Sequence, residues 1–111
     1  MNASEFQSIL ENIVEDFVQK KKYKAAVNEL ENLFSQFGED GELFYYMGIC
    51  YANIGEFRKA ASCLEKSITF NELSLVFQIH SLVVLGYLHT ELKNFEKLLL
   101  GKKFKGTTIE S

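Results

Sequence analysis

Two histidines and two cysteines are the rarest side chains in this sequence that could bind a metal, move a proton or act as a nucleophile. His80 and His89 are nine residues apart on one predicted helix, which places them on roughly opposite faces and prevents them from sharing a metal ion. Cys50 and Cys63 form no Cys-x-x-Cys pair of the zinc-binding type. We therefore expect structural thiols, no metal site and no cofactor. An enzyme that uses these four residues is the most distant alternative.

The composition is that of one small folded domain. The chain has 111 residues, 47% of them apolar, and a net charge of −3 that gives no reason to expect binding to nucleic acid. The sequence contains no glycine-rich phosphate loop and no nucleophile elbow. The acidic N-terminus lacks the apolar core of a signal peptide, and the longest apolar run, residues 82–88, is about a third of the length that crosses a bilayer. We expect a cytoplasmic protein without membrane insertion and without catalytic residues.

Apolar residues recur at helical spacing along almost the whole chain, and glycine, asparagine or aspartate occurs where the spacing stops. The absence of proline favours long helices. The pattern predicts an all-α domain with six helices. The first covers about residues 4–19, and the second lies between the lysines at 20–22 and the glycines at 38 and 41. The next three cover about 42–53, 56–70 and 73–91. The sixth begins near Asn94 or Phe95.

The predicted helices form self-similar pairs. An aromatic residue follows the turn inside each pair, with a small or apolar residue three positions later. These aromatics are Tyr23, Phe57 and Phe95, spaced by 34 and then 38 residues. A period of this length is typical of helical repeat arrays.

The chain resembles the tetratricopeptide repeat family, most clearly in its middle unit. There the residues match the family's order of large, apolar, small and aromatic positions. They are Phe44, Met47, Gly48, Tyr51, Gly55, Phe57, Ala60 and Leu64. The first unit carries Val14 where the family prefers a small residue, and the third loses the pattern after Leu98, where Lys102 and Lys105 replace apolar residues.

This resemblance implies three antiparallel helix hairpins stacked as a short right-handed solenoid. The whole chain, 1–111, is then a single domain with repeats at about 5–38, 41–71 and 73–105 and a frayed tail at 106–111. The small residues at the repeat positions are expected where paired helices cross closely, since a missing side chain lets two backbones approach. They are Ala26, Gly48, Ala60 and Gly86.

In tetratricopeptide proteins the first helix of each pair lines a concave groove, so the resemblance implies a partner-binding surface. The matching positions here are Glu11, Glu15, Val18, Tyr45, Ile49, Asn53, His80, Val83 and Tyr87. The family's carboxylate clamp for acidic chain ends would need basic residues where Glu11 and Ile49 stand. The surface instead suits an amphipathic helix or an extended peptide with apolar anchors and some basic character.

A second surface competes with the groove. The fifth predicted helix is more apolar than one buried stripe requires, and its exposed residues would form an oligomer-forming ridge with residues near the chain end. The ridge comprises Leu73, Val76, Phe77, Leu99, Leu100 and Phe104. Its cover is expected to be a second copy or a permanent partner, and a tail folded back on the domain is the rival.

The sequence therefore predicts a protein-binding module, chaperone-like or adaptor-like, that holds an apolar segment of another protein in its groove. Its shortness and apolar groove more narrowly resemble the small bacterial secretion chaperones of the family. This implies a possible homo-oligomer or a small helical co-chaperone as partner. The alternative is an oligomerising scaffold that binds through the ridge while the groove stays empty.

Overall fold

A computed structural model describes the backbone of residues 3–70 and 72–103, and side chains up to Leu98. Every regular element in these ranges is a helix, as expected for an all-α chain. The elements are α1 (Ala3–Ile13), a π-helical continuation (Val14–Val18), α2 (Tyr23–Phe37), α3 (Gly41–Asn53), α4 (Phe57–Ser67) and α5 (Leu75–Lys103).

Residues with a positive φ lie in the turns between the first four helices. Lys21 has a positive φ of 61° between the π-helical segment and α2, and Gly38 and Gly55 have φ values of 87° and 85° after α2 and α3. Glycine adopts this left-handed backbone at little cost. The carboxylate of Asp40 accepts a hydrogen bond from the Leu43 amide at 3.1 Å, which caps the start of α3.

The helices pack as successive antiparallel neighbours around one apolar core. The side chains that are fully buried at its centre are contributed by every α-helix, and they are Leu10, Leu30, Leu43, Leu64 and Leu88. A polar contact ties α2 to α3 beside this core, because the Tyr51 hydroxyl donates a hydrogen bond to the Glu31 carboxylate. Burial and this carboxylate raise the pKa of Tyr51, so the hydroxyl remains a donor at neutral pH.

Three of the four small residues expected at helix crossings lie in tight contacts. Ala26 and Ala60 are fully buried. A methyl group on Gly48 would lie 2.6 Å from the side chain of Leu64 and 3.2 Å from the Ala60 carbonyl oxygen. Gly86 differs from this expectation, because a methyl group there would meet no atom within 4 Å. No described helix crosses α5 at that position.

The sixth predicted helix is not a separate element, which corrects the expected third hairpin. α5 continues through the turn expected near Asn94 and forms one helix of 29 residues. The turns after α2 and α3 each contain a glycine with positive φ, whereas residues 89–94 contain neither glycine nor proline. Because this stretch has neither residue, nothing in it interrupts the backbone hydrogen bonds of the helix.

α5 attaches to the domain through its N-terminal half. Ser81 on α5 is fully buried against Ser67 on α4, with their hydroxyl oxygens 3.5 Å apart, and the Ser67 hydroxyl also donates to the Leu64 carbonyl at 2.9 Å. Leu85 and Leu88 complete the buried side of this half. From Lys93 to Leu98 every side chain is exposed, so α5 projects beyond the packed part of the domain.

Replacing Gly48 with alanine should destabilise the fold, because the added methyl group must displace Leu64 and the α4 backbone. We expect a loss of about 1–3 kcal/mol in the free energy of unfolding, as for other overpacked contacts. Urea denaturation followed by circular dichroism measures it. Ser62→Ala on the exposed side of α4 is the control and should change stability by less than about 0.5 kcal/mol. Equal stabilities for the Gly48→Ala variant and the unmodified chain would contradict the tight crossing.

Candidate protein-binding site

An aromatic cluster holds α5 against α3 at one end of the candidate site. The rings of Tyr45 and Phe77 stack with centroids 4.4 Å apart, and Tyr46 packs edge-on against Tyr45 at 5.0 Å. The Tyr45 hydroxyl oxygen lies 2.6 Å from Nδ1 of His80. Burial raises the pKa of Tyr45, so its hydroxyl donates this hydrogen bond whenever Nδ1 is unprotonated. The cluster fixes how α5 is oriented on the domain.

A continuous stripe of side chains runs along α5 from this cluster toward the chain end. Its members follow each other at intervals of three or four residues and so share one helix face. They are Phe77, His80, Val84, Tyr87, Glu91, Phe95 and Leu98. Phe77 and Val84 are half-buried, while Tyr87 is 56% exposed and Leu98 68% exposed. We call the surface between this stripe and α3 the groove.

The groove opens into a cleft where α5 passes the turn between α3 and α4. The cleft encloses about 520 Å³ and is predominantly apolar. Its lining residues are Gly55, Glu56, Phe57, Arg58, Glu91, Leu92, Asn94, Phe95 and Leu98. Pockets of this size and character are typical of binding sites. The predicted turn near Asn94 would have placed Phe95 and Leu98 inside a closed hairpin, so the cleft was not expected from the sequence.

The polar residues at the cleft carry both signs of charge, with acids in excess. Glu56 and Glu91 line the cleft, and Arg58 is paired with Glu96 at 3.9 Å. Both members of this pair are well exposed, so it adds little stability. Because the pair offsets the single base, the uncompensated charge at the cleft is acidic. The rim therefore favours basic groups beside an apolar ligand.

The structure places the predicted groove residues in different surroundings. Tyr45 is 8% exposed and already paired with α5, so it supports the groove from below. Ile49 is half-buried, and Asn53 uses its side-chain amide to donate to the Ile49 carbonyl at 2.8 Å. His80 and Tyr87 lie on the stripe. Val83 is 65% exposed, whereas the neighbouring Val84 is half-buried against the core.

The predicted groove residues of the first repeat lie on α1 and its π-helical continuation. Glu11 is exposed and accepts a hydrogen bond from Gln7 at 3.3 Å on the same helix. Glu15 is exposed, and Val18 is half-buried against the core. The two carboxylates therefore add negative charge to the first-repeat side of the domain.

The predicted ridge is corrected at two positions. Leu73 is buried, and Phe77 stacks on Tyr45, so the domain's own packing uses both side chains. Val76 is exposed, together with further apolar residues that face away from α3 and α4. We call this surface the outer face of α5, and it comprises Leu75, Val76, Ile79, Leu82, Val83 and Gly86. The side chains of Leu99 and Leu100, all of Phe104, and the expected frayed tail lie outside the described residues.

One helix in the described part of the chain has the length and composition of a membrane span. It comprises the 24 residues Leu75–Leu98. Its most apolar 18-residue stretch has a mean hydropathy of 1.2, and only 17% of that stretch is buried in the domain. Residues 75–90 contain no charged side chain, whereas residues 91–98 contain Glu91, Lys93, Glu96 and Lys97. The uncharged part is about 24 Å long at 1.5 Å per residue, shorter than the ~30 Å hydrocarbon core of a bilayer.

The two histidines have different partners, and both cysteines are free thiols. His80 contacts Tyr45, while His89 lies 3.6 Å from Glu65 on α4. Burial raises the pKa of Cys50 to about 12 and that of Cys63 to about 11. Both thiols are therefore protonated at neutral pH, which makes them poor nucleophiles.

Comparisons with known proteins give no match. No family model matches the chain, and neither a curated protein nor a solved structure is significantly similar to it.

Removing the Tyr45 hydroxyl should separate the contribution of its hydrogen bond to the free energy of unfolding from the contribution of its ring packing. Tyr45→Phe keeps the stack on Phe77, so we expect a loss of about 1 kcal/mol in unfolding free energy. Tyr45→Ala removes both contacts and should cost about 3–5 kcal/mol. Thermal and urea denaturation provide the measurement. A Tyr45→Phe variant as unstable as Tyr45→Ala would show that the stack contributes nothing.

Thiol labelling should be slow in the folded protein. A pKa of about 11, about two units above that of an ordinary thiol, reduces the thiolate fraction of Cys63 about 100-fold. The higher nucleophilicity of a more basic thiolate restores part of this. We expect iodoacetamide to modify Cys63 at least tenfold more slowly at pH 8 in the folded chain than in urea. A Cys50→Ser background isolates the signal. Equal rates would instead indicate an accessible, reactive thiol.

Proposed function

We propose that this chain is a non-enzymatic protein-binding module, chaperone-like or adaptor-like, that holds an apolar helical or extended segment of a partner protein in its groove. The observation that carries the proposal is the apolar cleft of about 520 Å³ at the groove's open end. Its exposed Phe95 and Leu98 belong to a helix that the aromatic cluster holds in place. A preordered apolar surface of this kind loses little entropy on binding.

The chemistry of the cleft indicates the partner's character. A large apolar side chain buried between Phe57, Phe95 and Leu98 gains about 1.5–3 kcal/mol. Glu56 and Glu91 at the rim favour lysine or arginine beside that anchor. The expected ligand is therefore an amphipathic segment with apolar anchors and a basic flank.

The tetratricopeptide resemblance supports this proposal in a modified form. The hairpins α1–α2 and α3–α4 would be its first two units, and α5 would take the place of the first helix of the third, continuing the right-handed solenoid. We propose cytoplasmic action without a cofactor. A secretion chaperone is the narrower proposal, and it rests on the chain's length and the groove's character.

The second candidate function is an oligomerising scaffold. The observation that favours it is the outer face of α5, where large apolar side chains such as Val76 and Val83 are more than 60% exposed. Contiguous apolar surface of this kind marks contact sites for other proteins.

Peptide selection tests the groove. A phage-displayed library of amphipathic helices, with basic polar faces in one half and acidic polar faces in the other, is selected against the immobilised chain. We expect basic members to be enriched, and Leu98→Ser to weaken their binding about tenfold through the loss of roughly 1.4 kcal/mol of apolar contact. Isothermal titration calorimetry measures the dissociation constants.

Leu82→Ser is the matched control, because Leu82 is a similarly exposed leucine on the opposite side of the same helix. It should leave peptide affinity unchanged. Equal losses from the two substitutions, or enrichment of acidic peptides, would contradict binding in the groove.

A further inference from the structure

The cleft at the open end of the groove lies between two apolar walls. Phe57 and the turn before it form one wall, and Phe95 and Leu98 on α5 belong to the other. Both of these α5 side chains are more than half exposed. The volume of about 520 Å³ between the walls holds no atom of the described residues, so the cleft can receive a segment from outside the described domain.

The charge around this cleft is acidic. Glu56 is exposed at the turn between α3 and α4, and Glu91 is half-buried on α5. The base that lines the cleft, Arg58, is paired with Glu96 at 3.9 Å. The imbalance extends over the domain, because residues 1–98 contain 14 acidic side chains and nine lysines or arginines. A ligand of the cleft should therefore carry positive charge beside its apolar anchor.

The chain itself contains a segment with this chemistry. Residues 99–105 combine three large apolar side chains with three lysines and contain no acidic residue. We call them the basic segment, and they are Leu99, Leu100, Gly101, Lys102, Lys103, Phe104 and Lys105. Phe104 stands directly between two of the lysines. The basic segment therefore complements the cleft in both charge and hydrophobicity.

The basic segment cannot enter the cleft of its own chain. α5 forms one wall of that cleft and continues as a helix to Lys103. At 1.5 Å per residue, Lys103 lies about 7.5 Å beyond Leu98 along the same axis, and Phe104 follows directly. Because the segment extends the wall, it leads away from the cleft. The cleft of another molecule is the one that can receive it.

We propose that the cleft binds the basic segment of a second copy of this chain. Phe104 of one copy would be the apolar anchor in the cleft of the other, with the adjacent lysines beside Glu56 and Glu91. The cleft and the segment belong to the same end of α5, so two copies can exchange segments and close a two-fold dimer. This inference rests on the cleft as the binding site of the proposed function, and it names one ligand of that site.

The exchange of segments would regulate the groove. A cleft filled by a second copy is closed to other proteins, so the apparent dissociation constant of a partner rises as the fraction of free clefts falls. Dimer formation and partner binding are then alternatives. The dimer should dissociate when a partner with stronger anchors binds.

Molecular mass and one substitution test the anchor on the full chain. We expect analytical ultracentrifugation to give twice the chain mass of 12.7 kDa. Phe104→Ser should raise the dimer dissociation constant about tenfold or more, because it removes the anchor. The same variant should bind the library-selected peptides more tightly than the unmodified chain, since its clefts are free. Ile109→Ser, which removes an apolar side chain outside the basic segment, is the control and should leave the mass unchanged.

Charge reversal tests whether the contact joins two molecules. Glu56→Lys/Glu91→Lys places positive charge on both sides of the contact, and Lys103→Glu/Lys105→Glu places negative charge on both. Each variant alone should therefore dimerise at least several-fold more weakly. An equimolar mixture should restore the dimer, because each cleft then receives a segment of opposite charge. Glu29→Lys/Glu39→Lys changes the net charge equally at exposed positions away from the cleft and should have no such effect.

Three results would overturn the inference. A chain that stays monomeric up to about 100 μM and still binds the selected basic peptides would remove segment exchange and leave the proposed function standing. A dimer that Phe104→Ser leaves unchanged would place self-association on another surface, such as the outer face of α5. Charge-reversed variants that are folded by circular dichroism but stay monomeric after mixing would exclude the reciprocal contact. Failure of the proposed function differs from all three, because the selected peptides would then not bind even to a monomeric Phe104→Ser chain.

Discussion

The packing of α5 on the domain, by its buried contact with α4 and by the stack of Tyr45 on Phe77, sets the orientation of both candidate surfaces. The two rings lie nearly parallel at 4.4 Å, and the adjacent hydrogen bond to His80 restricts rotation about the helix axis. With this side of α5 held against α3, the residues half a turn away must face solvent. The same contact therefore directs Tyr87 and Leu98 along the groove and turns Ile79 and Val83 outward.

The absence of a stop signal in α5 is the second constraint. A helix of 29 residues is about 43 Å long, and only its N-terminal half is covered by the domain. Had a glycine stood among residues 89–94, the segment with Phe95 and Leu98 could have folded back over Gly86 and covered both apolar surfaces at once. The continuous helix instead leaves apolar side chains of both surfaces exposed.

Turn residues and small residues in the sequence predicted the first four helices and a close crossing between two of them. The continuation of α5 was not predicted, because it depends on a turn signal that is absent. Gly38 and Gly55 located the turns, and Gly48 with Ala60 predicted a close helix crossing that the structure contains. The third hairpin was predicted from the match of Asn94, Phe95 and Leu98 to the two earlier turns, but asparagine alone does not end the helix at that point. On α5 the groove was predicted at His80, Val83 and Tyr87; His80 and Tyr87 lie on the stripe, and Val84 is the residue of the stripe between them. Repeat alignment alone does not fix helix rotation, which depends on tertiary contacts such as the Tyr45 stack, between residues 32 positions apart.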